Sequence, residues 1–152
     1  AKYNLDWHLL AAIGYQESYL KPSSVSPTGV RGLMMLTNST AQAMGVSNRS
    51  DPIQSIQGGA KYYDLMLDQF ANVPYPDRNW YALVAYNMGP GAVNQIQKRI
   101  KAQGKDPNQW VNLYHYLQRN QARNGRYKQA VQYVTRIRTY LEHLKTSNRI
   151  DV

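Results

Sequence analysis

Cysteine is absent from this 152-residue chain, which excludes disulfides and any thiolate nucleophile or metal ligand. Its three histidines, His8, His115 and His143, stand far apart and form no pair at metal-binding spacing. No metal and no other cofactor is therefore expected, and a Ser-His-Asp relay finds as little support. Glutamate is nearly absent too: Glu17 and Glu142 are the only two, beside seven aspartates. No apolar run approaches the roughly 18 to 20 residues that a membrane span requires, so none is expected. The chain opens without a charged n-region and an apolar h-region, and a secretory leader is expected to have been removed or to lie outside it. Phenylalanine occurs once against thirteen tyrosines, a choice that favours rings with one apolar face and a hydrogen-bonding tip.

The length is that of one domain with a single core, and the expectation is one domain over residues 1–152. A hydrophobic fraction of 43% is ordinary for a folded chain. Charge is not evenly spread. Residues 1–97 carry six Lys or Arg and six Asp or Glu, whereas residues 98–152 carry twelve and three, which is the whole net charge of +9. A basic C-terminal third points to an anionic polymer as partner. Nucleic acid is the less favoured choice, since it leaves the placement of Glu17 unexplained.

Leu10, Ile13, Glu17 and Leu20 fall at helical spacing, so Glu17 shares a stripe with three aliphatic side chains. A carboxyl group against apolar surface is desolvated, its pKa rises, and it can serve as a general acid near neutral pH. The alternative is a buried carboxyl satisfied by a neighbouring hydroxyl or amide. After this helix, expected from Asp6 to about Leu20, a segment rich in Ser, Pro and Gly brings Leu33 to Leu36 back towards it.

Thr37 reads as the cap of a short helix ending at Gly45, and Asp51-Pro52 as the start of the next. The apolar stripe of that helix is expected to be Ile53, Ile56, Ala60, Tyr63, Leu67 and Phe70. Gly58-Gly59 in its middle implies a close helix contact or the approach of a ligand. Asp77 is a cap candidate for a helix whose segment Trp80 to Met88 is apolar on nearly all sides and so central. Gly89-Pro90-Gly91 breaks it, leaving Tyr86 and Asn87 in the last turn. A basic helix over Ala92 to Ala102, another opened by Asp106-Pro107, a polar loop over residues 118–126 and a long helix over about Tyr127 to Lys145 complete the pattern, with Tyr133 flanking the last core stripe. No strand pattern of comparable length appears. The fold class expected is mainly α, an orthogonal helical domain with at most a small β ribbon before Leu33.

Most glycosidases use two carboxyl groups, and Glu17 has no evident partner: Asp6 lies about 16 Å away along the same helix. Three motifs occur in order, E-S-x-x-x-P (Glu17, Ser18, Pro22), S-P-x-G-x-x-G-L-M (Ser26 to Met34) and A-Y-N-x-G-x-G (Ala85 to Gly91). Together they resemble the lysozyme-like (goose-type or Slt-type) domain of the lytic murein transglycosylases of glycoside hydrolase family 23, over roughly residues 5–145. Met34-Met35, where most relatives carry a glutamine, narrows the resemblance to a membrane-bound branch of that family.

The resemblance implies cleavage of the β-1,4 link between N-acetylmuramic acid and N-acetylglucosamine, with Glu17 as acid and then base. The muramoyl C6 hydroxyl attacks C1, leaving 1,6-anhydro ends. It further implies that Ser26, Tyr86 and Asn87 orient that carboxyl group and the sugar, that Tyr133 matches a weaker fourth motif, and that Met35 stands at a substrate-contacting position. Peptidoglycan glycan strands are the implied partner, in the periplasm or cell envelope, with a linked N-terminal domain and an outer-membrane anchor expected beyond this chain. A wall-binding module that kept the groove without turnover is the alternative.

Overall fold

The computed structural model describes residues 12–14, 34 and 36–150, and the side chains of these except Asn38 and residues 144–150. Glu17, Ser26 and Met35 lie outside the described residues, as do the turn-rich segment before Leu33 and all of the helix expected up to Leu20 except residues 12–14, which are helical. Six helices follow in order: α1 (Asn38–Ala43), α2 (Pro52–Gln69), α3 (Asp77–Met88), α4 (Pro90–Ala102), α5 (Trp110–Asn120) and α6 (Gly125–Ile150). Among the described residues β structure is limited to a bridge position at Leu36, so the fold is mainly α. Contacts divide the chain into two units, one of residues 1–64 with 136–152 and one of residues 65–135.

In the first unit, the Thr37 hydroxyl accepts from the backbone N–H of Thr40 at 3.2 Å and caps α1, which ends before Gly45 at φ 77°. Asp51 caps α2, its Oδ1 accepting from the Ile53 N–H at 2.9 Å, with Pro52 in the first turn where no N–H is missed. Gln54 Oε1 accepts from the Ser47 N–H at 2.9 Å, the Ser47 hydroxyl at 2.9 Å and the Asn48 N–H at 3.1 Å, which fastens the connection to the helix.

The core stripe of α2 differs from its expected register at the start. Ile53 and Ile56 are 68% and 43% exposed, whereas Ser55 is fully buried. Ser55 Oγ accepts the Met34 N–H at 3.0 Å, so a serine points inward because that buried backbone donor needs an acceptor there. Gly58 and Gly59 explain the rest. A Cβ on Gly59 would sit 2.6 Å from Met34 Cγ, and one on Gly58 would strike Val46 and come within 3.1 Å of Leu36 Cδ1. The pair admits the close approach of the non-helical residues Met34, Leu36 and Val46, not of another helix as expected. Ile13, a member of the stripe that includes Glu17, is fully buried.

The second unit is built around α3. Tyr81, Ala82, Leu83, Val84 and Ala85 are all fully buried, as a helix apolar on every side must be. An aromatic chain runs through it: Phe70 to Tyr81 at 5.7 Å between centroids, Tyr81 to Trp110 at 6.3 Å and Trp110 to Tyr114 at 5.7 Å. Asp77 does not cap its own helix. Its Oδ2 accepts the Trp110 N–H at 2.9 Å and so caps α5 across the fold. The Asp106 carboxylate accepts the Asn108 N–H at 2.8 Å in a local turn, and α5 begins at Trp110. α4 starts at Pro90, two residues earlier than the pattern indicated, and α6 at Gly125, which shortens the expected loop to residues 121–124. Tyr133 is 4% exposed and belongs to the core beside Ala130, Val134 and Ile137, not to its flank.

Candidate active site

Tyr86 and Asn87 occupy the last turn of α3 because the chain cannot continue helically beyond them. Gly89 adopts φ 94°, which side-chain-bearing residues rarely tolerate, and Pro90 takes the first position of α4. The Gly89 N–H still reaches the Ala85 carbonyl at 2.7 Å, closing the turn. Six buried residues, Tyr81 to Ala85 and Met88, hold the helix from within, and two polar residues of its last turns are left outward: Asn87 is exposed and Tyr86 half-buried.

The carbonyls of a last helical turn have no partner inside the helix. The Met88 carbonyl accepts a hydrogen bond of 2.6 Å from Arg126 Nη2. A guanidinium there also complements the negative end of the α3 dipole. Arg126 stands in the first turn of α6, where the Asn124 side chain accepts its N–H at 3.0 Å. Tyr133 follows seven residues on, hence on the same face of α6, roughly 10 Å along the axis. The structure thus gathers Tyr86 and Asn87 at one helix end and ties the helix bearing Tyr133 to that end through Arg126.

A second tie lies behind the start of α6. Arg99 Nη1 donates to the Tyr116 hydroxyl at 3.0 Å, and the Tyr116 and Tyr127 rings meet edge-on at 6.0 Å. The Tyr116 hydrogen bond holds the Arg99 guanidinium even above its usual high range. At the far end of α3, burial first and the nearby carboxylates of Asp77 and Asp106 second push the Tyr81 phenol well above its ordinary value. Its hydroxyl lies 2.7 Å from the Pro107 carbonyl and 2.9 Å from that of Gln109, both acceptors. Among the described residues no three His, Asp or Glu side chains gather to hold a metal ion. No described helix is long and apolar enough to cross a membrane.

The family model of the Transglycosylase SLT domain matches residues 1–109. The chain belongs to this family. The matched stretch contains all of the E-S, S-P-x-G and A-Y-N motifs; Tyr133 lies beyond it. As a member of the SLT transglycosylase family, whose fold is lysozyme-like, the chain has its mainly helical architecture accounted for. It is 47% identical over 156 residues to a membrane-bound lytic murein transglycosylase F of Stutzerimonas stutzeri (strain A1501), covering 94% of this chain and 32% of that protein. To the protein of the same name from Pseudomonas fluorescens (strain Pf0-1) it is 48% identical over 153 residues, with coverage of 94% and 32%. For that of Ectopseudomonas mendocina (strain ymp) the identity is 53% over 116 residues, with coverage of 76% and 24%. The chain spans about a third of the length of the curated relatives it matches, or less. The branch indicated by Met34-Met35 is the one these relatives occupy.

Arg126 was not legible in the sequence as a member of this site. It lies among Arg119, Arg123 and Lys128, and nothing local distinguishes it from them. Only the unpartnered carbonyls that Gly89-Pro90 must leave at the end of α3 signal that a donor is required.

Proposed function

We propose that this chain is the catalytic part of a peptidoglycan lytic transglycosylase. It cleaves the β-1,4 bond between N-acetylmuramic acid and N-acetylglucosamine and leaves 1,6-anhydromuramic ends. The observation that carries this reading is the family match over the stretch holding Glu17 and the A-Y-N motif. Glu17 protonates the glycosidic oxygen as the bond to C1 breaks. The muramoyl C6 hydroxyl then adds to C1 and surrenders its proton to the Glu17 carboxylate, which restores the acid. No water is consumed, and a second carboxylate is not required, in keeping with the scarcity of glutamate.

Ser26, Met35, Tyr86, Asn87 and Tyr133 are assigned to substrate binding and orientation. The exposed Asn87 and half-buried Tyr86 at a rigidly ended helix support this for α3. Residues 1–152 are read as one lysozyme-like domain of a longer protein. The membrane-bound relatives support action in the cell envelope, and we assign it to the periplasm, with attachment to the outer membrane through other parts of that protein. Mass spectrometry of a digest of purified peptidoglycan tests the reaction. Anhydro-muropeptides are the expected products; reducing muramic ends as the main product would establish hydrolysis instead, and an undigested polymer would leave a wall-binding module.

A further inference from the structure

Within the second unit, the end of α2, the exposed side of α4 and the turn before α5 enclose a groove of about 410 Å³, a volume suited to a small ligand. None of its lining residues belongs to the motifs of the family. Phe70 and Val73 form its floor and are 2% and 0% exposed. Gln97 ties α4 to the turn, its Nε2 lying 3.4 Å from the Pro107 carbonyl and 3.3 Å from Asn108 Oδ1. The rim is therefore held in place without a ligand.

Gln69, Asn72 and Asn94 line the groove with exposed carboxamides that are engaged in no hydrogen bond to a described residue. Asn94, Lys98 and Lys101 follow one another at i, i+4 and i+7, so α4 presents an amide and two ammonium groups on one face. A carboxamide donates and accepts at once, as pairing with the N–H and C=O groups of an extended peptide demands. Two ammonium groups add point charges for carboxylates. Sugars, by contrast, favour an exposed ring to stack upon, and the groove's one ring, Phe70, is covered.

We propose that this groove binds the short acidic peptides that peptidoglycan carries, not its sugar backbone. The proposal rests on the peptidoglycan reading of the preceding subsection. It gives the protein a second hold on the polymer, selective for uncrosslinked peptides with free carboxylates.

Titration calorimetry on the whole 152-residue chain tests it with four probes: free alanyl-γ-glutamyl-diaminopimelate, the same peptide with its carboxyl groups amidated, chitotetraose, and a short single-stranded DNA. The acidic peptide is expected to bind, and the amidated one about tenfold more weakly, the scale of one charge-assisted contact. Lys98→Gln combined with Lys101→Gln should weaken the acidic peptide by about tenfold and leave the amidated one unchanged. Glu17→Gln should leave peptide binding untouched. Peptide binding by a chain that releases no anhydro-muropeptides would uphold the groove and overturn the transglycosylase reading. A chain that releases them yet does not bind the peptide would overturn the groove alone. DNA or chitotetraose bound as tightly as the acidic peptide would also overturn it, the first by showing an unselective cationic surface and the second a sugar site.

Discussion

Replacing Tyr81 by Phe removes one oxygen from the most buried part of the second unit and leaves the ring stack with Phe70 and Trp110 intact. At pH 7 the loss is one hydroxyl shared between the Pro107 and Gln109 carbonyls, at 2.7 and 2.9 Å. A buried hydrogen bond contributes about 1 kcal/mol, and leaving an acceptor unsatisfied raises the cost to about 1 to 2 kcal/mol. In a chain of this length that corresponds to a fall in Tm of roughly 3 to 6 °C. The effect must then shrink with rising pH. Burial and the Asp77 and Asp106 carboxylates raise the native phenol above its unfolded value near 10. The stabilisation is therefore fully present below pH 10 and is lost as pH rises towards the native pKa, because the unfolded chain can release a proton that the native one retains. Linkage sets the slope at up to about 1.4 kcal/mol per pH unit for one proton, reduced by whatever solvent reaches the hydroxyl. Urea unfolding followed by circular dichroism at pH 7, 9, 10 and 11 measures wild type against Y81F, and the other tyrosines cancel in the difference. A gap of 1 to 2 kcal/mol that closes by about 1 kcal/mol between pH 9 and 11 is expected. A variant as stable as wild type at pH 7, or a gap constant to pH 11, would refute the account of Tyr81.

Glu17→Gln should abolish release of anhydro-muropeptides while leaving the unfolding midpoint unchanged or slightly raised, since catalytic polar groups commonly cost stability; residual lysis at the wild-type rate would remove Glu17 from the mechanism. Arg126→Met frees the Met88 carbonyl and should lower turnover at saturating substrate, whereas neutralising Arg119, Arg123 and Lys128 together should weaken binding to intact sacculi at low salt and spare turnover. Equal effects of the two sets would mean that Arg126 is only another surface charge. Gly59→Ala should destabilise by about 1 to 2 kcal/mol despite the better helix propensity of alanine, because the new methyl meets Met34 Cβ at 2.8 Å and that atom moves only with its backbone. A stabilised variant in denaturant unfolding would contradict this.

What could be read from the chain and what could not divide along a physical line. Thr37, Asp51 and Gly89-Pro90 act on backbone groups within a few residues of themselves, so their roles as caps and breaks were visible in sequence. The buried segment Tyr81 to Ala85 was visible for a similar reason: a helix with no polar face has only one place to go. Asp77, Ser55 and Arg126 were not, because each satisfies a backbone group far off in the chain: Asp77 an N–H 33 residues later, Ser55 one 21 residues earlier, Arg126 a carbonyl 38 residues earlier. Periodicity states which way a side chain points, and is silent on whose hydrogen bond it completes. It also misplaced Ile53 and Ile56, because the first turns of α2 are covered at Ser55 and the two glycines instead.

The same division bears on the candidate site. Its motifs carry the proposed acid, Glu17, and the proposed orienting residues Tyr86 and Asn87, all of which stand in local patterns within the stretch that the family model matches. The group that fixes the A-Y-N turn in space, Arg126, comes from elsewhere in the sequence and carries no motif of its own. An α3 terminus ended by Gly89-Pro90 exposes carbonyls whatever follows, and a donor must meet them or water will. Arg126 meets one, and in doing so it gives the basic third of the chain two separate tasks. One cation positions the turn that bears Tyr86 and Asn87, and those around it, Arg119, Arg123 and Lys128, are exposed and, on the proposed function, available to attract a polyanion. A charge count cannot separate those tasks, and a hydrogen bond of 2.6 Å to a helix end does.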